Sequence, residues 1–219
     1  MDFSPLWLSL QIACCATVLT VLIGVPVAWC VHRAGRFWRV LIDSVLLLPL
    51  VLPPTVVGYF LLVVFGNKSA IGLFFTQIGF PLLFTVKGGV LAATVVAIPL
   101  LYQTLRGALA QMPNDLIACA QTLGIKNSLM FRKIVIPHIM PSIGAGMLLA
   151  FARAIGEFGA TMLIAGNIPG RTQTMSLAIY SAINNNEESK ARFWSLLLVG
   201  VAIAVIILLS YFNREKQRR

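Results

Sequence analysis

Apolar residues run along this chain in long stretches instead of alternating with polar ones. Five stretches are close to or beyond the ~20 apolar residues that a bilayer-crossing helix needs: 6–31, 45–65, 88–105, 141–161 and 193–212. The alternating segments of about ten residues that mark a transmembrane barrel are absent. The pattern predicts an all-α integral membrane protein with about five transmembrane helices. Pro49, Pro53 and Pro54 interrupt the second stretch and predict a kink there. A sixth apolar run, 71–86, is broken by Gln77, Gly79 and Pro81 and reads as an interfacial or re-entrant piece.

Composition narrows the class further. Hydrophobic residues make up 58% and charged residues 11% of the 219 residues, and the mean hydropathy is +0.89. Soluble domains are roughly 45–50% apolar and about 25% charged, so a water-soluble fold is excluded, as are a disordered chain and a disulfide-stapled scaffold. The net charge of +10 reflects seven acidic residues against 17 basic ones, not a nucleic-acid-binding patch. Most of the basic residues fall in three groups: Arg33, Arg36 and Arg39; Arg106, Lys126, Arg132 and Lys133; and Arg214, Lys216, Arg218 and Arg219. With five spans these groups share one side of the membrane. The positive-inside rule then places the N-terminus outside and the C-terminus, with its basic tail 213–219, in the cytoplasm. A sixth span at 71–86 would put the first two groups on opposite sides. The first span lacks a basic leader and a small-residue cleavage site, so it is expected to stay in the mature chain.

Catalytic signatures are missing. The chain has no G-x-x-x-x-G-K-[ST] for ATP, no H-E-x-x-H, no G-x-S-x-G and no C-x-x-C. Cys14, Cys15, Cys30 and Cys119 lack metal-ligand spacing, and His32 and His138 sit alone at span borders. The expectation is a non-enzyme that binds no metal and no cofactor.

The segment 113–137 between the third and fourth spans is the most informative polar stretch. Pro113 and Asn114 suit a helix start, and Asp115 in the first turn favours the helix dipole. Leu116, Ala120 and Leu123 fall at i, i+4 and i+7 and make one apolar stripe. Gly124 suits a left-handed stop, and Asn127 or Ser128 caps a second helix that Pro137 ends or bends. An amphipathic hairpin follows. It either lies on the membrane surface or docks a cytoplasmic motor.

The spacing favours docking. Ala118-Cys119-Ala120, then three residues, Gly124, nine residues and Ile134-Val135-Ile136-Pro137 resembles the E-A-A-x₃-G-x₉-I-x-L-P coupling loop of bacterial ABC importer permeases. Ala118 replaces the usual Glu and Ile136 the usual Leu; the helix–Gly–helix shape is kept. The resemblance covers nearly the whole chain. The segments 48–59, 152–160 and 167–174 resemble motifs of the molybdate branch, and Phe158 separates the chain from the sulfate permeases, which tend to carry Tyr there. The resemblance implies a type I importer permease fold over 6–212 in a bacterial or archaeal cytoplasmic membrane. It implies as partners a second copy of the chain, two cytoplasmic ATPase subunits and an external oxyanion-binding protein. The implied cargo is molybdate, with tungstate or sulfate as alternatives. A different class, an ATP-independent channel or scaffold, fits the composition equally.

Four further residues are pathway or gate candidates. Thr55 and Tyr59 lie one turn apart on the second span and either line a pathway or anchor packing. Arg153 falls ~18 Å into a hydrocarbon core ~30 Å thick, where a charge costs at least ~2.5 kcal/mol and needs a partner. Glu157, four residues on, is the expected partner in an i,i+4 pair that holds the fourth span in register. In the functional reading Arg153 is a pathway charge for a dianion. Ala152, Gly156 and Ala160 make a small-residue face for close packing.

Overall fold

The computed structural model describes residues 2–217. In chain order the helices are α1 (Ser4–Arg33), α2 (Arg36–Val51), α3 (Pro54–Phe65), α4 (Ala70–Gln77), α5 (Val86–Ala110), α6 (Asn114–Thr122), α7 (Asn127–Met130), α8 (Ile136–Ile155), α9 (Gly159–Ile164), α10 (Met175–Asn184) and α11 (Glu188–Gln217). Four helical stretches are long and apolar enough to cross a membrane: Ser4–Arg33, Val86–Ala110, Asn127–Ile155 and Glu188–Leu208. The pair α2 and α3 makes a fifth if its two arms, bent by 115°, count as one span.

α1, α5 and α8 form the centre. Near one end, Trp29 and Val31 of α1 pack with Leu105 and Leu109 of α5 and with Val135 and Ile139 around the start of α8. Toward the other end, Ile12 and Ala16 meet Ala93, Ile155, Met175 and Trp194. These pairings make α1, α5 and α11 parallel and α8 antiparallel to them. The Arg39 guanidinium closes the first turn by donating to the carbonyls of Val31 (3.3 Å), His32 and Ala34 (3.3 Å). These carbonyls lie at the C-terminal end of α1, where a cation is favoured; that of Val31 also accepts the Ala34 N–H at 3.1 Å.

Several expectations are corrected. The kink expected in 45–65 is an elbow of 115°: Pro53 and Pro54 supply no backbone N–H, so α2 stops at Val51 and α3 restarts at Pro54, while Pro49 stays within α2. The stretch 141–161 is not one helix. α8 starts well before it and ends at Ile155, and α9 begins at Gly159. That break also removes the small-residue face across Ala152, Gly156 and Ala160, since the three no longer share a helix. Pro137 neither ends nor sharply bends its helix. The π-helical turn Phe131–Val135 precedes it, and the Ile136 N–H reaches back to the Phe131 carbonyl. The wider turn eases the clash between a proline ring and the carbonyl four residues earlier. Helix α4 has eight residues, too few to cross a bilayer at 1.5 Å per residue. The tail 213–219 continues α11 through Gln217, and residues 218 and 219 lie outside the described residues.

Candidate functional site

At the end of the bundle where α5 finishes, α6 and α7 form the hairpin read from the spacing. Gly124 has φ +68°. The Ile125 N–H donates to the Ala120 carbonyl at 3.0 Å, and the Leu123 N–H to that of Cys119 at 3.0 Å. The Ile125 bond is the six-to-one closure of a left-handed helix stop, for which glycine carries no Cβ penalty. The stripe is divided by burial. Ala120 is buried in the cluster with Leu109, Met112 and Met130, and Ile125 packs on it. Leu116 and Leu123 are 42% and 77% exposed, and Asp115, Ala118 and Cys119 are exposed beside them. The helix is therefore held by buried Ala120 and half-buried Ile117, while Leu116, and Leu123 just past its end, face outward. Ile134 is half-buried and Pro137 exposed. Phe131 stacks on Trp29 with centroids 5.8 Å apart, fixing the second arm to the end of α1.

The second group lies where the two helix breaks meet. A Cβ on Gly58 of α3 would fall 2.7 Å from the Ala160 Cα of α9. One on Gly159 would sit 3.2 Å from both the Thr55 backbone nitrogen and its Cγ2. Two motifs separated by about a hundred residues in sequence thus cross backbone to backbone, as glycine and alanine allow for membrane helices. Thr55 and Tyr59 are exposed on the same helix, and the Tyr59 ring lies 6.1 Å from that of Phe60.

The Arg153–Glu157 pair is present, with Nη1 to Oε2 at 2.6 Å. Its setting differs from an uninterrupted i,i+4 pair. Arg153 is on α8, Glu157 is in the break, and its Oε1 accepts the Ala160 N–H of α9 at 2.9 Å. One carboxylate therefore joins both sides of the interruption. Its side chain is 2% exposed against 27% for Arg153, so the acid is enclosed and the base reaches the surface.

The segment 167–174 is a folded loop at the opposite end from α6. Gln173 Nε2 donates to Asn167 Oδ1 at 2.9 Å, and Asn167 Nδ2 to Ser181 Oγ at 2.7 Å. Thr174 caps α10, and the Met175 N–H donates to Ser9 Oγ at 2.8 Å. Asn167, Gln173 and Ser181, with Glu187, Lys190 and Trp194, border a cavity of about 410 Å³.

Sequence reasoning missed one charge cluster, built around a buried acid and a half-exposed arginine. Asp43 of α2, 6% exposed, accepts the Tyr102 hydroxyl of α5 and pairs with Arg106 Nη1 at 2.8 Å. Asp43 sits between Arg39 and an apolar run, which gives no local hint of partners 59 residues and more away. Among the described residues no group of three or more His, Cys, Asp or Glu is arranged to hold a metal ion.

A broken-helix bundle with an outward-facing helix–Gly–helix hairpin defines the class: the transmembrane fold of an ABC importer permease. A bacterial ABC transporter that imports the acidic polysaccharide alginate has this fold, matching at TM-score 0.68 over 100% of this chain and 80% of the other, at 12% identity. Residues 20–215 match the family of binding-protein-dependent transport system inner membrane components, and the chain belongs to that family. Full-length relatives include the molybdenum transport system permease protein ModB of Haemophilus influenzae, 37% identical over 100% of this chain and 96% of the relative. ModB of Escherichia coli K12 is 39% identical over 95% and 91% respectively.

Proposed function

We propose that this chain is the permease subunit of an ATP-driven importer whose cargo is a tetrahedral oxyanion, molybdate. The observation that carries the reading is the α6 hairpin, anchored through Ala120 and Ile117 and exposing Leu116, Cys119 and Leu123. An exposed apolar edge on a short, well-capped helix is a surface for a partner. Because the chain carries no P-loop, that partner is a separate cytoplasmic ATPase. The match of relatives described as molybdenum transport permeases along the full chain supports the cargo. Tungstate and sulfate are the nearest alternatives.

One chain carries one docking hairpin, and ATP sandwiched between two ATPase subunits requires two, so the transporter has two copies of the chain in the bilayer. The hairpin end faces the cytoplasm, as the grouping of Arg33, Arg36, Arg39, Arg106 and Lys126 supports. An external oxyanion-binding protein delivers cargo to the opposite end, where the 167–174 loop lies. Closure of the ATPases moves the hairpins, α5 and α8 carry the movement inward, and the pathway between the two copies opens outward. Thr55 and Tyr59 border that pathway, and the Glu157 clamp keeps the α8–α9 break rigid beside it.

Proteoliposomes holding this chain, its ATPase and its binding protein test the reading. ATP-dependent uptake of molybdate, absent without ATP or the binding protein, is expected. Conduction by the chain alone, indifferent to ATP, would establish the channel instead.

A further inference from the structure

Asp43 is the one fully buried residue of α2 among the described residues. An acid is an odd anchor for a helix whose neighbours Val40, Val45 and Leu48 are exposed and apolar. Its two oxygens are both used on α5, one by the Tyr102 hydroxyl and one by Arg106. Charge-assisted hydrogen bonds are directional and about twice as strong as neutral ones. Half-buried Ile42, Leu46 and Leu47 add only non-directional packing.

The positions of the three residues give the cluster its meaning. Tyr102 and Arg106 lie on the last turns of α5, and Leu109 and Met112 beyond them share a core with Ala120 of α6. The end of α5 and the hairpin are thus one packed unit. On the other side, α2 leads from Asp43 to the elbow at Leu52 and Pro53, and from there to α3, whose Gly58 meets Ala160. Asp43 is the polar link between these two units.

We infer that Asp43, Tyr102 and Arg106 form the tether that passes movement of the α5–α6 end to the α2–α3 elbow. They are positioning residues for transport, a role that rests on the proposed importer function. Without the tether α2 would slide on its apolar contacts, and movement of the α5 end would reach the elbow only through the non-directional packing of Leu52 and Val57 near Val96.

The test uses the complete transporter in proteoliposomes and measures both oxyanion uptake and ATP hydrolysis. Tyr102→Phe removes one hydroxyl and keeps the packing. The double variant Asp43→Asn with Arg106→Gln removes both charges together, so the buried Asp43 is not left unpaired and the half-exposed Arg106 is not left without its partner. Both are expected to assemble and to hydrolyse ATP within about twofold of wild type, while uptake per ATP falls about tenfold, as loss of hydrogen bonds to a charged group implies. Arg106→Lys, which keeps the charge, is expected to retain coupling. Unchanged uptake per ATP in the double variant would overturn the tether. Failure of both variants to assemble would also overturn it, by reducing the cluster to a folding element. A wild-type complex that imports no oxyanion would instead reject the importer reading itself.

Discussion

Replacing Arg153 by alanine takes the countercharge from a carboxylate that is 2% exposed. Removing one partner of a buried pair costs ~3–5 kcal/mol, because the remaining charge is left without compensation. Glu157 keeps the 2.9 Å bond from the Ala160 N–H, which places the loss at the lower end, ~3 kcal/mol. For a chain of this size that corresponds to a fall of ~6–12 °C in the thermal midpoint. Glu157→Gln is a milder change. The amide oxygen can still accept from Ala160, and the stranded guanidinium, 27% exposed, has a route to water or to a second copy. About 1 kcal/mol, or ~2–4 °C, is expected. The assay is the melting of the detergent-purified chain followed by size-exclusion chromatography, with uptake measured in parallel. Equal midpoints for wild type and Arg153→Ala would refute the clamp. If that variant also lost uptake, Arg153 would be a pathway charge. A larger loss in Glu157→Gln than in Arg153→Ala would contradict the asymmetry in burial.

Gly124→Val should cost ~1–2 kcal/mol through its φ of +68° alone, since a Cβ there meets nothing within 4 Å; weaker copurification of the ATPase checks this, and undiminished capture refutes it. Gly58→Ala should cost ~1–3 kcal/mol, because its Cβ would lie 2.7 Å from backbone that cannot rotate away. A thermal midpoint unchanged from wild type would show that α3 and α9 can separate freely. Native mass spectrometry of the assembled transporter should find two copies of the chain, and one copy would reject the argument from a single docking hairpin.

The membrane class and four of the five long apolar stretches were legible because run length is a one-dimensional property. The helix–Gly–helix hairpin was legible for a similar reason, since a glycine stop and periodicity are local signals. The cap expected of Asn127 or Ser128 is corrected, because both lie inside α7, which starts behind Lys126 with no side-chain cap. What escaped notice depends on distant residues or on backbone geometry. Helix α10 is ten residues long, and its buried Met175, Leu177, Ala178 and Ala182 pass for loop residues in a chain this apolar. The end of α8 was hidden because hydrophobicity continues across Gly156, whose small size suited close packing equally well. The π-helical turn before Pro137 has no sequence signature of its own. Asp43 has no local partner in sequence; only the fold brings Tyr102 and Arg106 of α5 against it.

The two interrupted helices have a common physical logic. Within a bilayer core no water satisfies freed backbone groups, so irregular backbone persists only where protein covers it or where it borders a water-filled path. At the elbow, the Val56 and Val57 N–H groups both turn back to the Pro53 carbonyl, at 2.9 and 3.2 Å. At the α8–α9 break, Glu157 takes the Ala160 N–H, and the Met162 N–H reaches the Phe158 carbonyl at 2.8 Å. Both interruptions are largely repaired, one by prolines that have no N–H to satisfy and one by an acid. Gly58 and Gly159 then press the repaired segments together. If stability alone were at stake, an uninterrupted helix would serve with fewer compensations. Two breaks placed at the same crossing, each with its own repair, therefore support a fixed stretch of non-helical backbone bordering the path. Thr55 and Tyr59 stand on the exposed side of that crossing, which is the side a second copy and the cargo would share.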